Sequence, residues 1–448
     1  MASSVGGWAV LLLLGLAGWA WSAAPPVPWP LEEPDSAKGE NYAVLVAGSN
    51  SWFNYRHQAD VCHAYQVLVE HGFKKENIIT FMYGDIANSS ENPTPGVIIN
   101  KPDGPNVYSG VEIDYRGSDV NPTNFLNVIK GNATAMEGVG SGRVLQSTRQ
   151  DRVFINFVDH GGPSVICFPE ELLSATDLNA ALQYMHDQGM YKQLLFYLEA
   201  CESGSMFQDV LPDDIAIYAT TASNAELSSY ACYFDSERQT YLGDVYSVKW
   251  MEDSDVDDLT KETLEEQYLL VKNETTTSPV CQFGQMSVSE QPVANFFGKE
   301  QVSSVSQAVP IVDAIESRDV DVQILLHRSK VNPTDASVKL QLAQMLQRRE
   351  RVRYTFQRIV EVASGEAHPE IYMSQKMAVN SRNRACVESS VLRFHRQCFN
   401  LAVEYHGLEH AMSFVSMCES GVPEAAIHRA IDQVCPLNGA ASLLTQQS

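Results

Sequence analysis

The chain has 448 residues, 44% of them apolar, and carries 55 Asp/Glu against 31 Lys/Arg for a net charge of −24. That apolar share and length suit two folded units with a linker, and a lumenal address argues against nucleic acid as a partner. Residues 300–448 hold 15 Lys/Arg and 16 Asp/Glu, so nearly all the excess negative charge lies before residue 300.

Taken in chain order, the apolar run from Trp8 to Ala20 precedes small residues at Ser22, Ala23 and Ala24. It predicts a secretory signal over 1–23, although the usual basic start is missing. The run is short for a bilayer and no later segment is longer and apolar, so no membrane span is expected. A Pro-rich lead from Pro25 to Pro30 places an N-terminal propeptide at 24–38. Sequons at Asn88, Asn132 and Asn273 fit a lumenal glycoprotein.

Strands are predicted at Tyr42–Ala47, Ile78–Met82, Val153–Val158, Leu194–Leu198 and Ile215–Thr220. Helices are predicted at Gln58–His71 and Thr176–Met185. Strands that alternate with helical patterns indicate α/β architecture with a mostly parallel sheet. Two of these strands end on reactive side chains, His160 in VFINFVDHGG and Cys201 in LLFYLEACESGS. With one helix between them they form a βαβ unit, which brings His160 and Cys201 to the same carboxyl edge if the strands are neighbours. An imidazole beside a thiol can take its proton and release the attacking thiolate. The bland alternative is a buried structural Cys and an unrelated loop His. Gly161-Gly162 and Ser203-Gly204-Ser205 weigh against it, since small residues leave room for a substrate backbone and for amide donors.

From about residue 300 the pattern becomes helical, with apolar positions at Leu342, Met345, Leu346, Val352, Phe356, Ile359, Val360, Val391, Phe394, Leu401, Met412, Val415 and Ile427. Residues 300–335 read as a linker and 336–448 as a small helical domain behind a catalytic domain at 39–299. Of nine cysteines, Cys386, Cys398, Cys418 and Cys435 cluster in the tail, where four allow three disulfide pairings. The other five, Cys62, Cys167, Cys201, Cys232 and Cys281, leave at least one thiol free within the chain, and Cys201 is the choice. Arg328 to Arg358 holds eight Lys/Arg against Asp335 and Glu350, which suggests docking onto the acidic catalytic part. A solvated helix face is the plain alternative.

The strings VAGSNSWFNYRHQADVCHAYQ, DHGG, FYLEACESGSM, YATTASN, SSYACYFD, TYLGD and WMEDSD resemble the legumain, or asparaginyl endopeptidase, family of caspase-like cysteine proteases. The resemblance runs from Tyr42 to the C-terminus. It implies a caspase-like sheet flanked by helices with a C-terminal helical prodomain, and peptide cleavage after Asn, or after Asp at acidic pH. It implies His160 as base, Cys201 as nucleophile, Asn54 as the orienter of the imidazole, and an oxyanion site from the amides of Gly161 and Cys201. It implies a specificity pocket of Arg56, His57, Glu199, Ser229 and Asp244, with no metal or cofactor. It pairs Cys386 with Cys418 and Cys398 with Cys435.

Donors on Arg56 and His57 facing acceptors on Glu199 and Asp244 suit the carbonyl and NH2 of an asparagine side chain. The family's design further implies an acid-released prodomain acting as intramolecular inhibitor, cystatin-type external inhibitors, and a lysosomal, vacuolar or acidic extracellular address. Asn332 matches the position of the family's activating asparagine, yet Pro333 follows it, and a nearby Asp such as Asp335 or Asp321, or another Asn, is the alternative. Three other readings stand beside hydrolysis: ligation through the same acyl-enzyme, with Asp159 as the family position linked to it; the related lipid-anchor transamidase subunit; and an inactive binding protein. The transamidase reading expects a membrane span, and the binding-protein reading expects loss of Cys201 or His160.

Overall fold

The computed structural model describes residues 39–300 and 309–436, so the expected signal and N-terminal propeptide lie outside the described residues. Six strands form the main sheet: β1 (Asn41–Ala47), β2 (Ile78–Met82), β3 (Arg152–Val158), β4 (Gln193–Glu199), β5 (Ile217–Thr221) and β8 (Cys281–Gly284). Their order is β8-β5-β4-β3-β1-β2, parallel throughout except for the antiparallel edge strand β8. Strands covered on both faces need apolar side chains on both. Alternation accordingly sends Ala43, Leu45, Phe154 and Leu195 to one core and Val44, Val46, Ile155 and Phe196 to the other. Helices α1 (Tyr55–Glu70) and α2 (Ala175–Asp187) follow β1 and precede β4 respectively.

A hairpin of β6 (Tyr230–Asp235) and β7 (Thr240–Asp244) stands apart from the main sheet. It leads into α3 (Val245–Ser254) and α4 (Leu264–Glu274). The edge of β6 is occupied by β9 (Ile315–Glu316), a two-residue strand from the connecting segment. That segment continues as α5 (Val320–Val331) and then as α6 (Ala336–Ser364), α7 (Arg384–Gln397), α8 (Met412–Glu419) and α9 (Glu424–Val434).

Asp335 caps α6 by accepting from the amides of Ser337 and Val338 at 2.9 and 3.3 Å. At its other end, Gly365 terminates α6 with φ +73°, a left-handed conformation that suits glycine. Val352, Phe356, Ile359, Val360, Val391, Phe394, Phe414 and Ile427 fill the helical domain's core, and Val165 and Cys167 of the catalytic part join it. Leu346, expected in that core, is 48% exposed because the first half of α6 projects past the domain. Cys386 is bonded to Cys418 and Cys398 to Cys435; Cys62, Cys167, Cys201, Cys232 and Cys281 are free thiols. No described helix is long and apolar enough to cross a membrane.

Candidate active site

Register sets the site. Val158 of β3 pairs with Glu199 of β4, and the Asp159 amide donates to the Glu199 carbonyl at 3.1 Å. His160 and Cys201 therefore sit side by side, each two residues past that pair. A Cβ on Gly161 would fall 2.3 Å from the Cys201 carbonyl oxygen, so this crossing needs glycine.

Asn54 ends the turn before α1, and its Nδ2 donates to the Asn50 carbonyl at 3.0 Å, which aims Oδ1 at His160 Nε2, 2.9 Å away. An amide oxygen can only accept, so Nε2 holds the proton and Nδ1 keeps the lone pair. Nδ1 is buried without a hydrogen-bond partner. Burial, then the charges of Arg56 and Arg318, hold the His160 pKa well below its usual value, so the ring is neutral. The Cys201 sulfur accepts from the Ser229 amide at 3.4 Å and lies 3.8 Å from Ser229 Oγ. Burial raises its thiol pKa against the opposing pull of Arg318, so in this covered state it keeps its proton.

Beside the dyad is a polar pocket. Arg56 Nε donates to Asp244 Oδ1 at 2.8 Å and Nη1 to the Phe53 carbonyl at 3.2 Å. His57 Nδ1 lies 2.7 Å from Ser49 Oγ, and Nε2 lies 3.6 Å from Asp244 Oδ2. Glu199 Oε2 accepts from the amide and hydroxyl of Ser247 at 3.1 and 3.0 Å. Glu199 Oε1 and Asp244 Oδ2 are buried with no partner. Asp60, fully buried on α1, accepts from the Asp244 amide at 3.3 Å and from Asn100 Nδ2 at 2.7 Å. Burial pushes the carboxyls of Glu199 and Asp60 well above the usual range, with Asp244's charge adding to each; Asp244 rises too, but Arg56 pulls against it. Two groups of described side chains have metal-ligand spacing, namely His57, Asp159 and His160 in the pocket wall, and Asp253, Asp257 and Glu262 elsewhere.

The pocket is occupied by the chain itself. β9 pairs antiparallel with β6, Ile315 opposite Ala231 and Glu316 opposite Tyr230. Next, the Ser317 amide donates to the Ser229 carbonyl at 3.0 Å, its hydroxyl donates to Asp244 Oδ1 at 3.2 Å, and its carbonyl accepts from Arg56 Nη2 at 3.4 Å. Arg318 Nη2 then donates to the Gly161 carbonyl at 2.9 Å and to Glu202 Oε2. Above the dyad, the Tyr405 ring stacks on His160 with centroids 3.7 Å apart and 9° between planes. Arg384 Nη1 donates to the Ser205 carbonyl at 2.8 Å and Nη2 to that of Gln208 at 2.5 Å; Glu388 Oε1 accepts from Ser164 Oγ at 2.7 Å.

These contacts revise the docking expected from charge alone. Of the basic side chains between 328 and 358, Arg328 reaches the catalytic part, pairing with Glu91 at 2.6 Å. Arg349 binds Asp319 and Asp321 of the connecting segment, while Arg348, Arg353 and Arg358 pair inside the helical domain. Ser49, Asp60, Ser247, Ser317, Arg318, Arg384 and Tyr405 were not singled out from sequence. The spacing of Arg56, Asp60 and His63 at i, i+4 and i+7 puts three ionisable groups on one face of a buried helix, a signal that could have found Asp60.

A neutral imidazole with a free nitrogen beside a thiol, at the carboxyl edge of such a sheet and next to a polar pocket, is the equipment of a cysteine endopeptidase. The peptidase C13 family model matches residues 41–299 and the legumain prodomain model matches residues 340–435. The chain is 46% identical to mouse (Mus musculus) legumain over 96% of its length and 99% of that protein, and 45% identical to human (Homo sapiens) legumain over 91% and 95%. A vacuolar-processing enzyme of Vicia sativa is 40% identical over 90% of this chain and 87% of its own. The chain belongs to the peptidase C13 family. It is a cysteine endopeptidase of the asparaginyl type, built with a legumain prodomain.

Proposed function

We propose that Cys201 is the nucleophile of this endopeptidase, His160 its general base, and Asn54 the residue that fixes the imidazole tautomer. The observation that carries this reading is the set of three buried, unpartnered atoms, His160 Nδ1, Glu199 Oε1 and Asp244 Oδ2, around the site where Ser317 now sits. A substrate asparagine in place of Ser317 supplies what they lack. Its NH2 donates to the carboxyl oxygens, and its carbonyl accepts from Arg56 or His57. His160 Nδ1 removes the thiol proton as sulfur attacks the carbonyl carbon, and the amides of Gly161 and Cys201 receive the developing oxyanion. The imidazolium then protonates the leaving amine, and the thioester is hydrolysed by a water that His160 deprotonates. An ionised aspartate would place its negative charge in a buried pocket beside the carboxyls of Asp244 and Glu199, so cleavage after Asp belongs to acidic pH.

The connecting segment and helical domain make the chain a zymogen. Its activating cut falls in the exposed turn at 331–334 or at the adjoining Asp335, because Asp321 is buried against Arg349. Exposed sequon residues Asn88, Asn132 and Asn273 support glycosylation, and with the name of the Vicia sativa relative they support an acidic lumenal address.

The test compares fluorogenic peptides that differ only at the residue before the cut, Asn, Asp or Gln, on acid-treated protein. Turnover of Asn across the pH range, of Asp only toward low pH and of Gln negligibly is expected. Equal turnover of Asn and Gln would remove the assigned pocket.

A further inference from the structure

The connecting segment enters the cleft with a defined polarity. Ile315 and Glu316 lie along β6, Ser317 fills the pocket, and Arg318 lies on the far side of the Cys201–His160 pair. Such strand addition uses main-chain hydrogen bonds for affinity and leaves side chains to give specificity. A substrate that follows the same track places the residue before its cut at the Ser317 position and the residue after its cut at the Arg318 position. The Arg318 site is built for a cation. Arg318 is 4% exposed, and its guanidinium is held by the Glu202 carboxylate and the Gly161 carbonyl, both of the catalytic part. Glu202 is itself 2% exposed and takes a left-handed φ of +47°, directly after Cys201. The other acidic neighbour, Glu409, belongs to the helical domain and leaves with it. Two residues before Ser317, Ile315 lies opposite Ala231 and joins an apolar cluster in which Ala231, Tyr241, Phe53 and Phe234 stay with the catalytic part, while Val320 and Ile324 belong to α5.

We infer that the leaving-group side of the cleft is a subsite for arginine or lysine formed by Glu202 and the Gly161 carbonyl. The uncovered enzyme thus selects Asn-Arg and Asn-Lys bonds, with an aliphatic residue two positions before the Asn. This rests on the pocket assignment above. Departure of Arg318 leaves the Glu202 carboxylate buried beside a vacant cleft, and an incoming cation restores the pairing that a neutral or acidic residue does not. Lysine can satisfy the charge but not the two-point contact, so arginine is preferred.

The test uses full-length protein after acid activation and internally quenched peptides of the form Ala-Ile-Glu-Asn-X-Ser-Gly, with X as Arg, Lys, Gly or Glu. The expected order in kcat/KM is Arg, Lys, Gly, Glu, with Arg about tenfold over Gly, equivalent to about 1.4 kcal/mol. Added salt should shrink the ratio, and Glu202→Gln should bring it close to one. Replacing Ile by Asp in the Arg peptide should lower kcat/KM severalfold. Arg and Gly peptides cleaved at rates within twofold by the unmodified enzyme would overturn the inference while leaving the pocket intact. Failure of every Asn peptide would instead strike the pocket assignment, and the subsite with it. Should Glu202→Gln not mature, the peptide series on the unmodified enzyme decides alone.

Discussion

The proton on His160 depends on one amide. Asn54 offers Oδ1 because Asn50 holds its Nδ2, and that choice leaves Nδ1 free to act as base. Asn54→Ala removes the constraint without touching sulfur, so kcat should fall by about 10²-fold, the lower end of what a positioned base contributes, with little change in KM. Pre-steady-state acylation rates check this, and an unchanged rate would show that the tautomer is set elsewhere. In the pocket, Asp244→Asn removes an acceptor and leaves the Arg56 guanidinium buried without its carboxylate. Activity on Asn peptides should drop by at least about 10²-fold, in line with the loss of a buried charged partner. The juxtaposition of His160 and Cys201, the proposed reacting pair, was legible in the sequence because each residue follows an apolar run. Ser247 was not, because it bonds Glu199 from a helix 48 residues further along the chain.

At the scale of elements, the parallel strands were readable since their buried faces demand unbroken apolar runs. Predicted Ile78–Met82 coincides with β2, and the strands before His160 and Cys201 differ from β3 and β4 by a residue or two at their ends. The β6–β7 hairpin, YACYFD and TYLGD, is not legible as strands in the sequence, because half-buried ends and polar residues blur its period. β9 was invisible for a different reason. Two residues become a strand only because β6 offers an open edge. That pairing places Ser317 where a cleavable residue would sit, and serine is too short to reach the unpartnered Glu199 Oε1 and Asp244 Oδ2 together. Ser317→Asn should therefore turn the plug into a substrate. Mass analysis at acidic pH should find a new cut between residues 317 and 318 that the double variant with Cys201→Ala lacks. A plug that stays whole in an otherwise active enzyme would mean that the segment is not held in a reactive pose.

For the whole molecule, the asymmetric charge of the sequence suggests docking and the family resemblance implies acid release, which together point to carboxylate protonation as the trigger. The structure gives those groups the opposite sign. Asp321, Glu404 and Glu409 have pKa values raised by burial, so the docked state binds their protons more readily than a released one in which they are exposed, and acidification through that range favours docking. Two histidines in the cover act the other way. Burial lowers His406 to about 3 and His410 to about 4; Arg349, His410, Arg348 and Arg318 add to the first, and Arg318, Arg353 and Arg349 to the second against Glu350. Both carry acidic neighbours, Glu404 at 3.8 Å and Glu409 at 3.5 Å, that do not outweigh burial. On release each imidazole regains an ordinary pKa near 6.5 and takes up a proton, so opening is favoured as pH falls from about 6.5 toward 4. His406→Gln with His410→Gln should move the midpoint of acid activation down by about 0.5–1 pH unit, read from activity after timed incubations. An unmoved midpoint would return the trigger to other groups.

The central claim, a Cys–His endopeptidase that reads asparagine and is plugged by its own segment, is tested most directly by one assay. Full-length protein is held at neutral or acidic pH and then given an Asn-containing fluorogenic peptide under common conditions, alongside Cys201→Ala. Turnover only after acid treatment, and none from the variant, is predicted. Equal turnover with and without acid, or activity surviving in Cys201→Ala, would contradict it.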